Sequence, residues 1–144
     1  MRPILLVTDC SAGACDACHE AVELARATGA PLLAVAVAHV TYPTVGYSVV
    51  GYSTVAAMME EVRKQRTCEA LDEVEKAAGA AGLERVTLRT AGPDAAAIRG
   101  LAVESDARMI VIPARARLAQ ELLQDHPCPV LVVGSEQPAA AAVA

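Results

Sequence analysis

The sequence predicts one α/β domain: an open five-stranded parallel sheet with helices on both faces. Short continuous apolar runs recur at Ile4 to Val7, Leu32 to Val37, Met109 to Ile112 and Val130 to Val133, as strands covered on both faces require. Segments of helical period lie between them, and this alternation implies parallel βαβ units with right-handed crossovers. A chain of 144 residues has room for a single core.

Each element has its own signal. Asp9-Cys10-Ser11-Ala12-Gly13 is a turn rich in N-capping residues. The stripe Ala17, Cys18, Ala21, Val22, Leu24 and Ala25 predicts a helix over 14–28, stopped by Gly29. A polar, glycine-bearing connection then runs from His39 to Thr54. Val55, Met58, Met59, Val62, Leu71, Val74 and Ala78 mark a helix of about seven turns, ending near Gly79 to Gly82. Val86, Leu88 and Thr90 alternate with Arg85, Thr87 and Arg89, which places the third strand at an edge with one wetter face. Gly92-Pro93-Asp94 opens a helix holding Ile98, Leu101 and Ala102, and a short helix from Leu118 to Leu123 precedes the last strand. The domain is expected over 1–135, with the Ala-rich residues 136–144 as a frayed tail.

Composition narrows the function. The chain is 54% apolar but has no Phe or Trp, so Val, Leu, Ile, Met and Ala must build the core. A net charge of −5 supplies no basic stripe for nucleic acid or an anionic membrane, and no apolar run is long enough to cross a bilayer. The first apolar run stops at Asp9 without a complete leader around it. Five cysteines, an odd number, read as reduced thiols rather than a disulfide framework. Together these features predict a cytoplasmic protein.

In open parallel sheets, ligands bind beyond the carboxyl ends of the strands, where strand order reverses. The segments expected at that rim are Asp9 to Gly13, Ala38 to Ser53, Ala91 to Asp94 and Pro113 to Arg117. Arg115 and Arg117 are either solvated loop charges or an anion contact, since guanidinium groups grip phosphate and carboxylate bidentately. All three aromatic residues, Tyr42, Tyr47 and Tyr52, fall in the connection after the second strand. There Val45-Gly46-Tyr47-Ser48 recurs as Val50-Gly51-Tyr52-Ser53. Tyr47 and Tyr52 can stack on a planar ligand, form a partner-binding patch, or simply cover the sheet end.

Cys15-Asp16-Ala17-Cys18-His19 spells a haem-attachment pattern. Cys18 belongs to the apolar stripe of its helix, where a buried cysteine acts as a small hydrophobe, and haem attachment of this kind follows export. A metal or redox site from Cys10, Cys15 and His19 is the remaining alternative, because Cys15 and His19 stand one turn apart. Cys68 reads as a helix thiol, Cys128 as the residue before a strand, and His39 and His126 as isolated loop histidines.

The succession of elements resembles the universal stress protein family. The resemblance rests on Ile4-Leu5-Leu6-Val7 with Asp9 and Ser11, on Ala17, Ala21, Leu24, Ala25 and Gly29-Ala30, and on Gly92-Pro93 with Ile98 and Ala102. Met109-Ile110-Val111-Ile112 and Pro127-Cys128-Pro129-Val130-Leu131-Val132-Val133 complete it, with the weakest match between His39 and Arg66. It implies an adenine nucleotide alpha-hydrolase-like sheet of order 3-2-1-4-5. It also implies that Asp9 contacts the nucleoside or metal side of a nucleotide, and that the Val37 backbone addresses adenine. Bottom-up, Asp9 is equally a helix cap and Val37 a core strand residue.

ATP-binding members of the family carry glycines after the fourth strand, with a two-residue spacer and then a nine-residue spacer to Gly-Ser or Gly-Thr. Such glycines let backbone N–H groups approach phosphate. Here the corresponding positions read Pro113, Ala116 and His126, and proline brings no N–H. A member that does not bind ATP in the usual manner is expected, with no cofactor. No nucleophile–base pair of catalytic spacing occurs, so an enzyme is not expected. The leading expectation is a stress-response regulatory homodimer, with room for an unidentified protein partner. The apolar strand Val130, Leu131, Val132 and Val133 would form its interface. The alternatives are a sensor of a nucleotide or other small anion at the rim, and the thiol or metal protein built on Cys10, Cys15 and His19.

Overall fold

A computed structural model describes residues 2–8, 14–37, 49–92, 94–114 and 117–134, with the side chains of 14, 15, 49–53 and 117 left aside. The elements follow in the order β1 (Ile4–Thr8), α1 (Ala14–Thr28), β2 (Leu32–Ala36), α2 (Val49–Ala80), β3 (Val86–Thr90), α3 (Ala95–Ser105), β4 (Met109–Pro113), α4 (Arg117–Gln124) and β5 (Val130–Val133). The strands form one parallel sheet of order β3-β2-β1-β4-β5, with β3 at an edge as its alternating pattern requires. Every residue of β1 and β2 is buried, whereas β3 alternates between half-buried and exposed along most of its length. That contrast is the physical content of central against edge position.

Right-handed crossovers put α1 and α2 on one face of the sheet and α3 and α4 on the other. Ile4, Leu6, Leu32, Ala34 and Val111 pack with Ala17, Ala21, Val22, Ala25 and Val74 on the first face. Leu5, Val7, Leu33, Val35, Ile110 and Ile112 pack with Ile98, Ala102, Leu118 and Leu122 on the second. Alternate strand residues therefore serve opposite layers.

Local chemistry sets the boundaries. Gly29 ends α1 at φ 73°, a left-handed backbone that favours glycine. Asp94 caps α3, its carboxylate accepting from the Ala96 N–H at 3.0 Å. Asp106 closes α3 at φ 54°, its N–H donating to the carbonyls of Ala102 and Val103, and Arg2 donates to the Asp106 carbonyl from across the chain. Arg99 ties α3 to the end of α4 by donating to the carbonyls of Glu121 and Asp125, each at 2.6 Å.

Two expectations need correction. The connection after β2 does not extend to Thr54, because α2 begins at Val49. Gly51 lies inside this helix, and a single interior glycine costs a helix only about 1 kcal/mol, which the long run of helix formers behind it outweighs. The backbone of Tyr52 consequently lies in a helix. Arg117 is likewise not a loop residue but the first residue of α4.

Candidate functional site

Strand order reverses between β1 and β4, so the crevice for a ligand opens at their carboxyl ends. Thr8 ends β1 on this rim, and Val37 follows β2 directly. The Val37 N–H donates to the Thr8 carbonyl at 2.8 Å, which ties the two strand ends together, and the Val37 side chain is 2% exposed. Val37 therefore serves the core with its side chain, whatever its backbone offers at the rim.

On the other side of the crevice, the β1–β4 ladder has ended at Leu6↔Val111 before β4 reaches Pro113. The β5 side is closed by the Ala114 N–H donating to the Val133 carbonyl at 2.8 Å. Pro113 is buried, and α4 starts at Arg117, so only positions 114–116 join strand to helix. Gly134 has ordinary room for a side chain, with the Ala114 methyl 3.7 Å from where a Cβ would stand. No close backbone approach requires a glycine there.

Most of the other sequence candidates fall where the structure describes no side chain. Asp9, Cys10, Tyr42, Tyr47, His39 and Arg115 lie outside the described residues. Cys15 and His19 are both on α1, and the His19 side chain is exposed. Among the described residues, no three His, Cys, Asp or Glu side chains stand close enough to hold a metal ion. Cys18 and Cys128 are buried and Cys68 is exposed. Burial pushes the Cys128 thiol up, opposed by the charge of Arg2. His126 stands outside the helices and strands, its Nδ1 3.0 Å from the Cys128 carbonyl. Val130 to Val133 are half-buried along the second open edge of the sheet.

One feature of the rim escaped sequence reasoning. Beside Thr8, on the α1–α2 face, a cleft of about 550 Å³ is lined by Asp16, Cys18 and His19 from α1 and by Ala70, Glu73, Val74, Lys76 and Ala77 from α2. Its signal was the hydroxyl of Thr8 at the end of an otherwise apolar strand, on the face shared with Ile4 and Leu6.

A sequence model of the universal stress protein family matches residues 1–134. The chain belongs to the universal stress protein family. Its fold is that of solved family members. A family protein from Burkholderia pseudomallei is 26% identical, with a TM-score of 0.66 over 92% of this chain and 96% of that one. The universal stress protein UspA of Lactobacillus plantarum superposes with a TM-score of 0.74 at 18% identity, covering 92% of this chain and 97% of its own. A member from Arabidopsis thaliana, solved with AMP bound, gives a TM-score of 0.68 at 11% identity over 94% of this chain and 93% of that one. No curated protein matches the chain by sequence. Among the described residues, no helix is long and apolar enough to cross a membrane.

Proposed function

We propose that the chain is a cytoplasmic, non-catalytic regulatory module of the universal stress protein type that does not hold ATP in the usual family manner. The observation that carries this reading is the join between β4 and α4. Strand ends on Pro113, helix starts at Arg117, and the intervening positions contain no glycine. A phosphate cradle needs several backbone N–H groups converging on one anion; this connection is three residues long, follows a proline that brings no N–H, and commits the Ala114 N–H to the Val133 carbonyl.

Pairing of two copies through β5 belongs to the same proposal. Val130 to Val133 form a short apolar strand with one side unpaired by any other strand among the described residues, and a second copy is the simplest cover for such an edge. A nucleoside monophosphate sensor is the second reading. It is favoured by the AMP, cAMP and dAMP bound to similar structures. Losing the phosphate cradle penalises ATP more than AMP.

Native mass spectrometry of gently purified protein, followed by calorimetric titration with ATP and AMP, tests these readings. A bare dimer that takes up neither nucleotide supports the regulatory module. Saturable AMP binding without ATP binding moves the assignment to the sensor. Tight ATP binding, or ATP carried through purification, overturns the proposal, and a monomer at micromolar concentration removes its dimeric part.

A further inference from the structure

The cleft between α1 and α2 lies on the opposite face of the sheet from α4 and is not needed for anything proposed above. At about 550 Å³ it has the size of a small-molecule site. Its floor carries the decisive feature. The Thr8 side chain is 3% exposed and lines the cleft. Its carbonyl accepts from Val37, but among the described residues its hydroxyl has no hydrogen-bond partner. A buried hydroxyl left unpaired is costly, and such groups normally face a partner, a water or a ligand.

The walls have a definite chemistry. Each helix presents an acid and a base three residues apart on one face: Asp16 and His19 from α1, Glu73 and Lys76 from α2. Glu73 is already engaged by another group. Asp16 and Lys76 take part in no ion pair among the described residues. The two helices thus bring to one cleft a carboxylate and an ammonium that no ion pair among the described residues uses. Ala70, Val74 and Ala77 of α2 add uncharged, apolar lining to the same cleft.

We infer that this cleft binds a small zwitterion, an α-amino acid with a short apolar side chain. Its ammonium pairs with Asp16 and its carboxylate with Lys76, and one of its polar groups satisfies the Thr8 hydroxyl. The aliphatic side chain rests on Ala70, Val74 and Ala77. The site stands whether or not the crevice rim takes a nucleotide, because it shares no charged group with it.

L-valine titrated into the full chain by calorimetry is the test, with isobutylamine and isovalerate as probes carrying one charge each. Wild-type protein is expected to bind L-valine saturably and each single-charge probe at least about tenfold more weakly. Asp16→Asn and Lys76→Gln, both at the surface, are expected to weaken L-valine about fivefold or more while the protein stays folded. Thr8→Val weakens binding too, yet its melting temperature holds or rises because the unpaired hydroxyl is gone. No saturation up to about 10 mM L-valine overturns the inference. So does equal binding of isobutylamine, or unchanged affinity in all three variants. Binding of AMP alone would support the rim and leave the cleft refuted.

Discussion

The two layers that cover the sheet are built from different material. On the α3–α4 face, large side chains interdigitate: Ile98, Leu118 and Leu122 meet Leu5, Val7, Ile110 and Ile112, and all are buried. On the α1–α2 face, the helices bury no Leu or Ile and meet the sheet through the smaller Ala17, Cys18, Ala21, Val22, Ala25 and Val74. Alanine lets a helix lie close to a strand, but it cannot fill the space where two neighbouring helices part. The cleft beside Thr8 opens where α1 and α2 flank the sheet. A chain without Phe or Trp can close one layer with branched aliphatics, while its alanine layer keeps a gap that a ligand can occupy.

The largest expected effect tests the bulky layer. Ile98→Ala removes a side chain that is 0% exposed and should cost about 2–5 kcal/mol, read as a lower denaturant midpoint at unchanged slope. Next comes the opposite substitution in the alanine layer. Ala21 is also 0% exposed, and Ala21→Leu should destabilise by about 1–3 kcal/mol through overpacking. If the Leu variant were as stable as wild type, the α1–α2 layer would have slack throughout and not only at the cleft. The claimed difference between the layers would then fail.

This contrast also explains what could be read from sequence. Apolar runs and the 14–28 stripe depend on near-neighbour periodicity, so β1, α1, β2, β4 and β5 were legible almost to the residue. The start of α2 was not, because Gly51 carries a local signal that a long cooperative helix overrides. The site was less legible still. Val37 could be placed, but whether a residue lines a cleft depends on the gap between helices distant in sequence. Asp16 and Lys76 are 60 positions apart and share no pattern that marks them as lining one cleft. Thr8 ends β1, and only its burial without a side-chain hydrogen-bond partner among the described residues distinguishes it.

The smallest effect concerns α2 itself, which divides along its length as the two layers do. Its 32 residues span about 48 Å, against about 17 Å for a five-residue strand, so the helix overhangs the sheet. Among its described side chains the buried ones are Thr67, Ala70, Val74 and Ala78, whereas none of residues 54–66 is buried and Met58 is 62% exposed. That first half is held by local pairs: Glu60 with Arg63, and Gln65 donating to Glu69 at 3.2 Å. The hydrogen bond from Arg63, aided by the charges of Arg63 and Lys64, holds the Glu60 carboxyl below its usual value despite some desolvation. A carboxyl depressed in the folded state contributes stability above its unfolded pKa and loses it as pH falls through the folded one. Glu60→Gln should therefore loosen the first half of α2 slightly at neutral pH, read as faster amide exchange over residues 54–66. The difference from wild type should shrink in acid and in high salt, because the pair is exposed and screened. A difference that persisted in acid would mean that Glu60 acts by packing, and the overhang would then belong to the core rather than stand apart from it.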